Sequence, residues 1–227
     1  GNDSLYFNYG DGARGEIVVD DSNFVYVASC TFSDDFPTSL NSVQDTSNGN
    51  QEGVVFKLNP QLSNLEWSTF LGGSQNDAIY SIDIARNSEV FVAGGTCSQD
   101  FPTSSGVLDQ NYLGGSTDGF VSRISANGQF LLSSTFFGSD AYDQVYFVRI
   151  ANSNKIFICG QTKATGSTLV YNALYNIPNS GQFISNLSYD LTNLNWSTTF
   201  GTGNGKPNIS ITAFTADICN RVYLSDR

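Results

Sequence analysis

Apolar positions in this chain come in short runs rich in β-branched and aromatic residues, each closed off by Asn, Asp, Ser or Gly. Runs of that length, with turn formers between them, predict strands, and nothing in the pattern carries the 3.6-residue period of a helix. The stretch from 78 to 136 holds four of them, at 78–84, 89–95, 119–124 and 130–136. The last two are joined by Asn127-Gly128, which predicts a type I′ hairpin with positive φ at both residues. The chain therefore reads as all-β.

The runs repeat. The segment "EIVVDDSNFVYVASCT" (16–31) lies over "SIDIARNSEVFVAGGT" (81–96), then over "FVRIANSNKIFICGQT" (147–162), and a fourth copy, "SITAFTADICNRVYLSD" (210–226), needs a small insertion. Phe70, Phe136 and Phe200 mark the period between copies. Four antiparallel strands recurring about every 65 residues predict β-propeller blades, each burying its faces against its neighbours. Blade 1 is expected at about 16–70, blade 2 at about 78–136, blade 3 at about 145–200 and a half blade at about 209–225. Residues 5–9 supply at most one more strand, so about three and a half blades are expected, and not a closed ring.

Two copies share a further signature, "TFSDDFPTS" (31–39) and "TCSQDFPTS" (96–104), just after the second strand of the repeat. Pro37 and Pro102 fix φ and hold Phe36 and Phe101 extended, which predicts that these rings tuck under the loop, with Asp35 and Asp100 accepting backbone N–H bonds. The motif reads as structural. The long loops that it opens form one face, and Tyr112, Tyr171 and Tyr175 within them are the candidate binding residues.

Composition narrows the function. The chain has 227 residues, no His, no Met and a formal net charge of −11, with no basic patch to meet nucleic acid or an anionic membrane surface. No run approaches the roughly 18 apolar residues of a membrane span, and the N-terminus lacks the pattern of a signal peptide. Cys30, Cys97, Cys159 and Cys219 lie far apart, without CxxC spacing, and read as mostly free, buried thiols rather than a metal cluster.

Without His, nucleophile chemistry of the Ser-His or Cys-His kind is excluded. Paired carboxylates stay open for a polysaccharide hydrolase or lyase at the propeller channel. Asp77 and Asp143, however, occupy equivalent repeat positions and read as turn caps or inter-blade caps. The acidic loops "SDDF" and "DTSNGNQEG" lack the regular spacing of a calcium loop. "GTGNGKPN" (201–208) has Pro207 where a phosphate loop needs Ser or Thr. Trp67 and Trp196 fall at matching positions, with Ser133 in the copy between; such an indole packs over a neighbouring strand or stacks a sugar. No metal or cofactor is implied.

"WSTFLGGS", "VFVAGGT", the "DFPT" motif and "GFVSRISANGQFLLSSTF" resemble the SBBP family of bacterial β-propeller repeats over at least residues 16–200. "YDQVYFVRI" and "NSGQFISNLSYDLTNLNWSTTFGTGNGKPNIS" resemble large gliding-associated surface proteins of Bacteroidetes-type bacteria, exported by the type IX secretion system. The resemblance implies an extracellular or cell-surface, outer-membrane-associated protein for adhesion, motility or surface assembly, with a protein or glycan as partner and no catalytic residue to carry over. It also implies that further blades of the parent chain, or another subunit, close the ring.

Overall fold

The structure is a computed structural model that describes residues 15–151, 155–206, 208–209, 211–217 and 219–226. The expected strand within residues 5–9, and Pro207, lie outside the described residues. Every regular element described is a strand. Sheet 1 is β1 (Glu16–Val19), β2 (Val25–Thr31), β3 (Glu52–Leu58) and β4 (Leu65–Leu71). Sheet 2 is β5 (Asp77–Ile84), β6 (Val90–Thr96), β7 (Asp118–Ile124) and β8 (Leu131–Phe137). Sheet 3 is β9 (Asp143–Ala151), β10 (Lys155–Thr162), β11 (Gln182–Leu187) and β12 (Leu194–Phe200), and sheet 4 is β13 (Ile211–Ala216) with β14 (Val222–Asp226). All ladders are antiparallel and follow chain order, and among the described residues no ladder joins the first sheet to the last.

The sheets are glued face to face by apolar side chains. Tyr26, Trp67 and Leu71 of sheet 1 share a core with Ile79, Ile82 and Phe120 of sheet 2. Phe91, Val121 and Phe137 of sheet 2 pack with Ile156, Ile158 and Phe183 of sheet 3. Phe147 and Phe157 of sheet 3 meet Ile211 and Phe214 of sheet 4. Each wholly buried Phe or Ile contributes about 1.5–3 kcal/mol, so the folded unit is the stack of sheets and not any one of them.

The described hairpin turns fall into two sets. Asp20, Ala85 and Asp217 donate N–H to the carbonyls of Phe24, Glu89 and Arg221, while Asn59, Ser125 and Ser188 donate to Asn64, Phe130 and Asn193. The fourth residue of each turn is left-handed: Asn23, Ser88 and Asn220 in the first set, Leu62, Gly128 and Leu191 in the second. The type I′ expectation for Asn127-Gly128 is thus corrected. Only Gly128 has positive φ, at 71°. Asn127 instead turns its Oδ1 inward to accept from Ser125 Oγ at 2.7 Å, and the longer turn is absorbed by a register shift at Arg123/Ile124.

A second correction concerns the period. Trp67, Ser133 and Trp196 face Lys57, Arg123 and Asn186 across the last ladder of their sheets and are in register. Counting from them, Thr199 takes the place of Phe70 and Phe136, and Phe200 aligns with Leu71 and Phe137. The ring contact that Phe70 and Phe136 make with the "DFP" phenylalanines has no counterpart in sheet 3, where that motif is missing, so an aromatic there is not required. No disulfide joins the four cysteines; Cys159 is buried, Cys30 and Cys97 half-buried, and Cys219 exposed.

Candidate functional site

The "DFPT" loops fold back on their own sheets. Phe101 is buried against Phe120 and Phe136, with centroids at 4.2 and 6.1 Å, and Phe36 is half-buried against Phe56 and Phe70. Ser68 Oγ donates to the carbonyl of Pro37. Asp100 Oδ1 accepts from Ser74 N–H and Oγ, which holds its carboxyl below the usual range, whereas Asp35 accepts from the Ser33 hydroxyl in an exposed turn. Pro102 lies within the loop after β6. Each long loop is then clipped to the last strand of its sheet: Thr69 Oγ1 bonds the carbonyl of Gln44, Thr135 Oγ1 that of Asp109, and Thr198 Oγ1 that of Tyr175. The clips make Gln44, Asp109 and Tyr175 equivalent, and likewise the residues before them, Val43, Leu108 and Leu174.

Where one sheet hands over to the next, buried carboxylates gather. Asp77 Oδ2 accepts from Gly73 N–H at 2.7 Å and Ser98 Oγ at 2.9 Å, and Asp143 Oδ2 accepts from the N–H and Oγ of Ser139, both at 2.7 Å. Both aspartates cap the turn into the first strand of the next sheet. Opposite them stand Glu52, whose Oε1 accepts from Asn48 and Gly49, and Asp118, whose Oδ2 accepts from Leu113. The other oxygen of each of these four groups is buried without a partner. Burial pushes Glu52 up to about 7, Asp77 up to about 6 and Asp118 up to about 7, and it raises Asp143 too; in each pair the neighbouring acid adds to the first member's shift. At the third handover Gly181 holds the register position of Glu52 and Asp118, and the amides of Gln182 and Asn208 sit against Gly201 instead. Sequence reading singled out Asp77 and Asp143 but not Glu52 and Asp118; the signal was the acid at the start of the third strand in copies one and two.

The first strands of the sheets converge, and one arginine ties them. Arg149 on β9 pairs with Glu16 on β1 at 2.5 Å and donates from Nε to the carbonyl of Phe214 on β13 at 3.0 Å. Glu16 Oε2 also accepts from Ser81 Oγ and Ile82 N–H on β5, at 2.6 and 3.0 Å. Asp83 Oδ2 accepts from Ile150 N–H at 2.7 Å. A cleft of about 320 Å³ opens beside this cluster, lined by Asp20, Asp21, Asp83 and Arg86 among others; Asp20 in it is occupied by its own turn, accepting from Ser22, Phe24 and Tyr26.

The tyrosines separate. Tyr112 is half-buried, edge-on to Phe136 at 5.7 Å, and burial raises its phenol. Tyr171 and Tyr175 are exposed at 55% and 62%, on the outer side of sheet 3. Tyr171 bonds Ser197 through backbone N–H and carbonyl, at 2.9 and 2.8 Å. Tyr175 lines a groove of about 330 Å³ with Asn172, Ala173, Leu174, Trp196 and Thr198. Trp196 is half-buried there, its ring on Phe157 at 6.0 Å, while Leu174 stands fully exposed. Leu174 was not anticipated from sequence, because the copy-three loop shares no motif with the others.

No protein-family model matches the chain, and no curated protein matches it. Among the described residues no group of three or more His, Cys, Asp or Glu side chains is placed to hold a metal ion, and no helix is long and apolar enough to cross a membrane.

Proposed function

We propose that the chain is a β-propeller segment, its sheets being about three and a half blades, that serves as a non-catalytic binding or structural scaffold in an exported bacterial cell-surface protein. The observation that carries this reading is the state of the acids where the first strands meet. Glu16 is neutralised by Arg149 and saturated by Ser81 and Ile82, and Asp83 takes the N–H of Ile150. A glycosidase needs two carboxylates free to face one scissile bond, one of them protonated. Here the acids hold sheets together. The repeat resemblance supplies the exported, surface-associated context, and the Tyr171, Tyr175 and Trp196 face supplies the contact surface for a protein or glycan.

The experiment is a turnover screen against plant, algal and bacterial polysaccharides. No product release is expected. Turnover abolished by a single substitution at Glu16 or Asp83, in a variant that still folds, would establish the rival hydrolase or lyase.

A further inference from the structure

Three oxygen-bearing side chains from three elements meet at Gly72, in the turn from β4 into β5. The Gly72 N–H donates to Gln44 Oε1 at 3.1 Å, and the Gln44 amide is oriented by its own bond to the Thr46 carbonyl at 3.0 Å. On the Gly72 α-carbon, the place where any other residue carries a Cβ is taken by Glu52 Oε2, and Asp77 Oδ2 lies 2.6 Å from it. Gly72 is not among the glycines with positive φ. Glycine is therefore needed here for the room it leaves and not for its backbone freedom.

The bonds that these acids accept fall on one side of each. Both donors to Glu52, the N–H groups of Asn48 and Gly49, go to Oε1, and Oε2 has no partner. Both donors to Asp77, the Gly73 N–H and the Ser98 hydroxyl, go to Oδ2, and Oδ1 has none. Glu52 is 1% exposed and Asp77 wholly buried. Among the described residues no lysine or arginine pairs with either acid. Two buried carboxylates with neither a counter-charge nor donors for these oxygens are costly, and a cation supplies both.

The third handover shows the same convergence without the charge. Gly201 follows Phe200 as Gly72 follows Leu71, and Phe200 and Leu71 hold equivalent ladder positions. The oxygens against Gly201 belong to amides, Gln182 Oε1 and Asn208 Oδ1, both 3.0 Å from the place of a Cβ. Their NH2 groups donate to the Ile209 carbonyl and to Thr202 Oγ1. Two side-chain oxygens against a glycine thus belong to the joint, while at the first joint both come from acids.

We propose that the cradle at Gly72 is a calcium site, with Glu52 Oε2, the Asp77 carboxylate and Gln44 Oε1 as protein ligands and water completing the shell. An all-oxygen ligand set selects a hard cation over zinc or copper, and two carboxylates match a double charge. Ligands fixed on separate elements favour calcium, which accepts irregular shells, over magnesium, which demands a near-ideal octahedron and sheds water reluctantly. The ion joins sheet 1, sheet 2 and the long loop that Thr69 clips. Spacing within "DTSNGNQEG" could not show it, because the partner of Glu52 stands at the start of the next sheet. The inference goes beyond the scaffold reading and does not depend on it.

The test uses the 227-residue chain freed of metal with a chelator. Calcium chloride is titrated in while NMR follows the amide signals of Gly49 and Gly73, the donors to Glu52 and Asp77. One calcium per chain is expected to shift both signals, with a dissociation constant of about 10⁻⁴–10⁻³ M, as in extracellular modules, and magnesium to bind at least about tenfold more weakly. At about 10 mM calcium the melting midpoint is expected to rise by about 3–10 °C. Glu52→Gln and Asp77→Asn, which copy the amides of the third handover, are each expected to abolish the shifts and the rise, and Asp118→Asn to keep both. Unmoved Gly49 and Gly73 signals in the folded wild-type chain overturn the proposal, with no variant needed. So does a full calcium response in the folded Glu52→Gln, Asp77→Asn double variant, or magnesium binding as tight as calcium. None of these outcomes touches the non-catalytic reading, which only the turnover screen addresses.

Discussion

Glu52 and Asp77 converge on Gly72: a side chain at that glycine would run into Glu52 Oε2, and would start 2.6 Å from Asp77 Oδ2. Burial disfavours the charge on each acid, and the charge of Asp77 adds to the rise at Glu52, so the pair takes up protons more readily than free acids do. At the second handover Asp143 alone lies against the equivalent Gly138, and burial together with the Asp143 charge raises Asp118. Groups facing the first pair are the N–H donors of Asn48, Gly49 and Gly73, the side chains of Gln44, Thr96 and Ser98, and Asp100; those facing the second are Leu113, Gly114, Ser139 and Thr162, with Asp109 and Asp140. No cation is among them.

The sign of the pH dependence follows. An unfolded carboxylate titrates near 4, and these groups titrate higher in the folded chain, at about 7 for Glu52 and Asp118. The native state therefore holds more protons between those values, and stability falls as pH rises from about 4 to about 7. Urea midpoints are expected to be higher at pH 5 than at pH 8. The Glu52→Gln, Asp118→Asn double variant is expected to flatten that slope. A stability that climbs from pH 5 to pH 8 would show that the pairs are ionised in the native protein.

Trp67 and Trp196 share a register but not an environment, and their truncations are expected to differ accordingly. Trp67→Ala removes a buried ring and the bond to Ala126, and should cost about 3–5 kcal/mol. Trp196→Ala, at a half-open groove, should cost about 1 kcal/mol or less. Chemical denaturation of both variants decides it, and equal costs would mean that Trp196 is already covered.

Gly128 and Gly106 both have positive φ, 71° and 77°, yet only Gly128 faces a neighbour. Gly106→Ala should lose only the left-handed backbone penalty, about 1 kcal/mol. Gly128→Ala adds a clash with the Trp67 ring and is expected to lose at least about 1–3 kcal/mol more. Thermal melts of the two variants separate the terms.

Arg149 joins three sheets through Glu16 and the Phe214 carbonyl, with its side chain only 20% exposed. Arg149→Met leaves Glu16 partly buried without a counter-charge and is expected to destabilise by about 2–4 kcal/mol. Adding Glu16→Gln to that variant should recover part of the loss. A double-mutant cycle with no coupling would show that the pair does not hold the sheets.

Strand positions were legible because their residues carry a local signal: β5 to β8 run 77–84, 90–96, 118–124 and 131–137 against expected runs shifted by a residue or less at each end. What local signal cannot carry is which side chains meet across sheets. Phe200 looked equivalent to Phe70 because both follow a "WST" run, but copy three has an extra Thr, and only the ladder to β11 shows which residue lies opposite which. Tyr112 looked like a loop-face tyrosine, yet its loop folds back and lays the ring on Phe136. The Glu52–Asp77 pair was invisible because its members are isolated acids in unlike surroundings, joined only when one sheet stacks on the next.

The threonine clips at Thr69, Thr135 and Thr198 bear on how such a chain diversifies. Each long loop is anchored at its base by the strand before it and near its far end by a hydroxyl bond to one backbone carbonyl, a contact indifferent to which side chain that residue carries. The intervening stretch is a cassette: "TFSDDFPTSLNSVQ" (31–44) in one copy and "TKATGSTLVYNALY" (162–175) in another run between equivalent anchor points above strands of the same pairing. A lineage carrying this scaffold can therefore vary what it displays to the outside at the exposed loop positions, such as Leu40 and Leu174, as long as the positions of Phe101 and Leu169 still fill the core beneath.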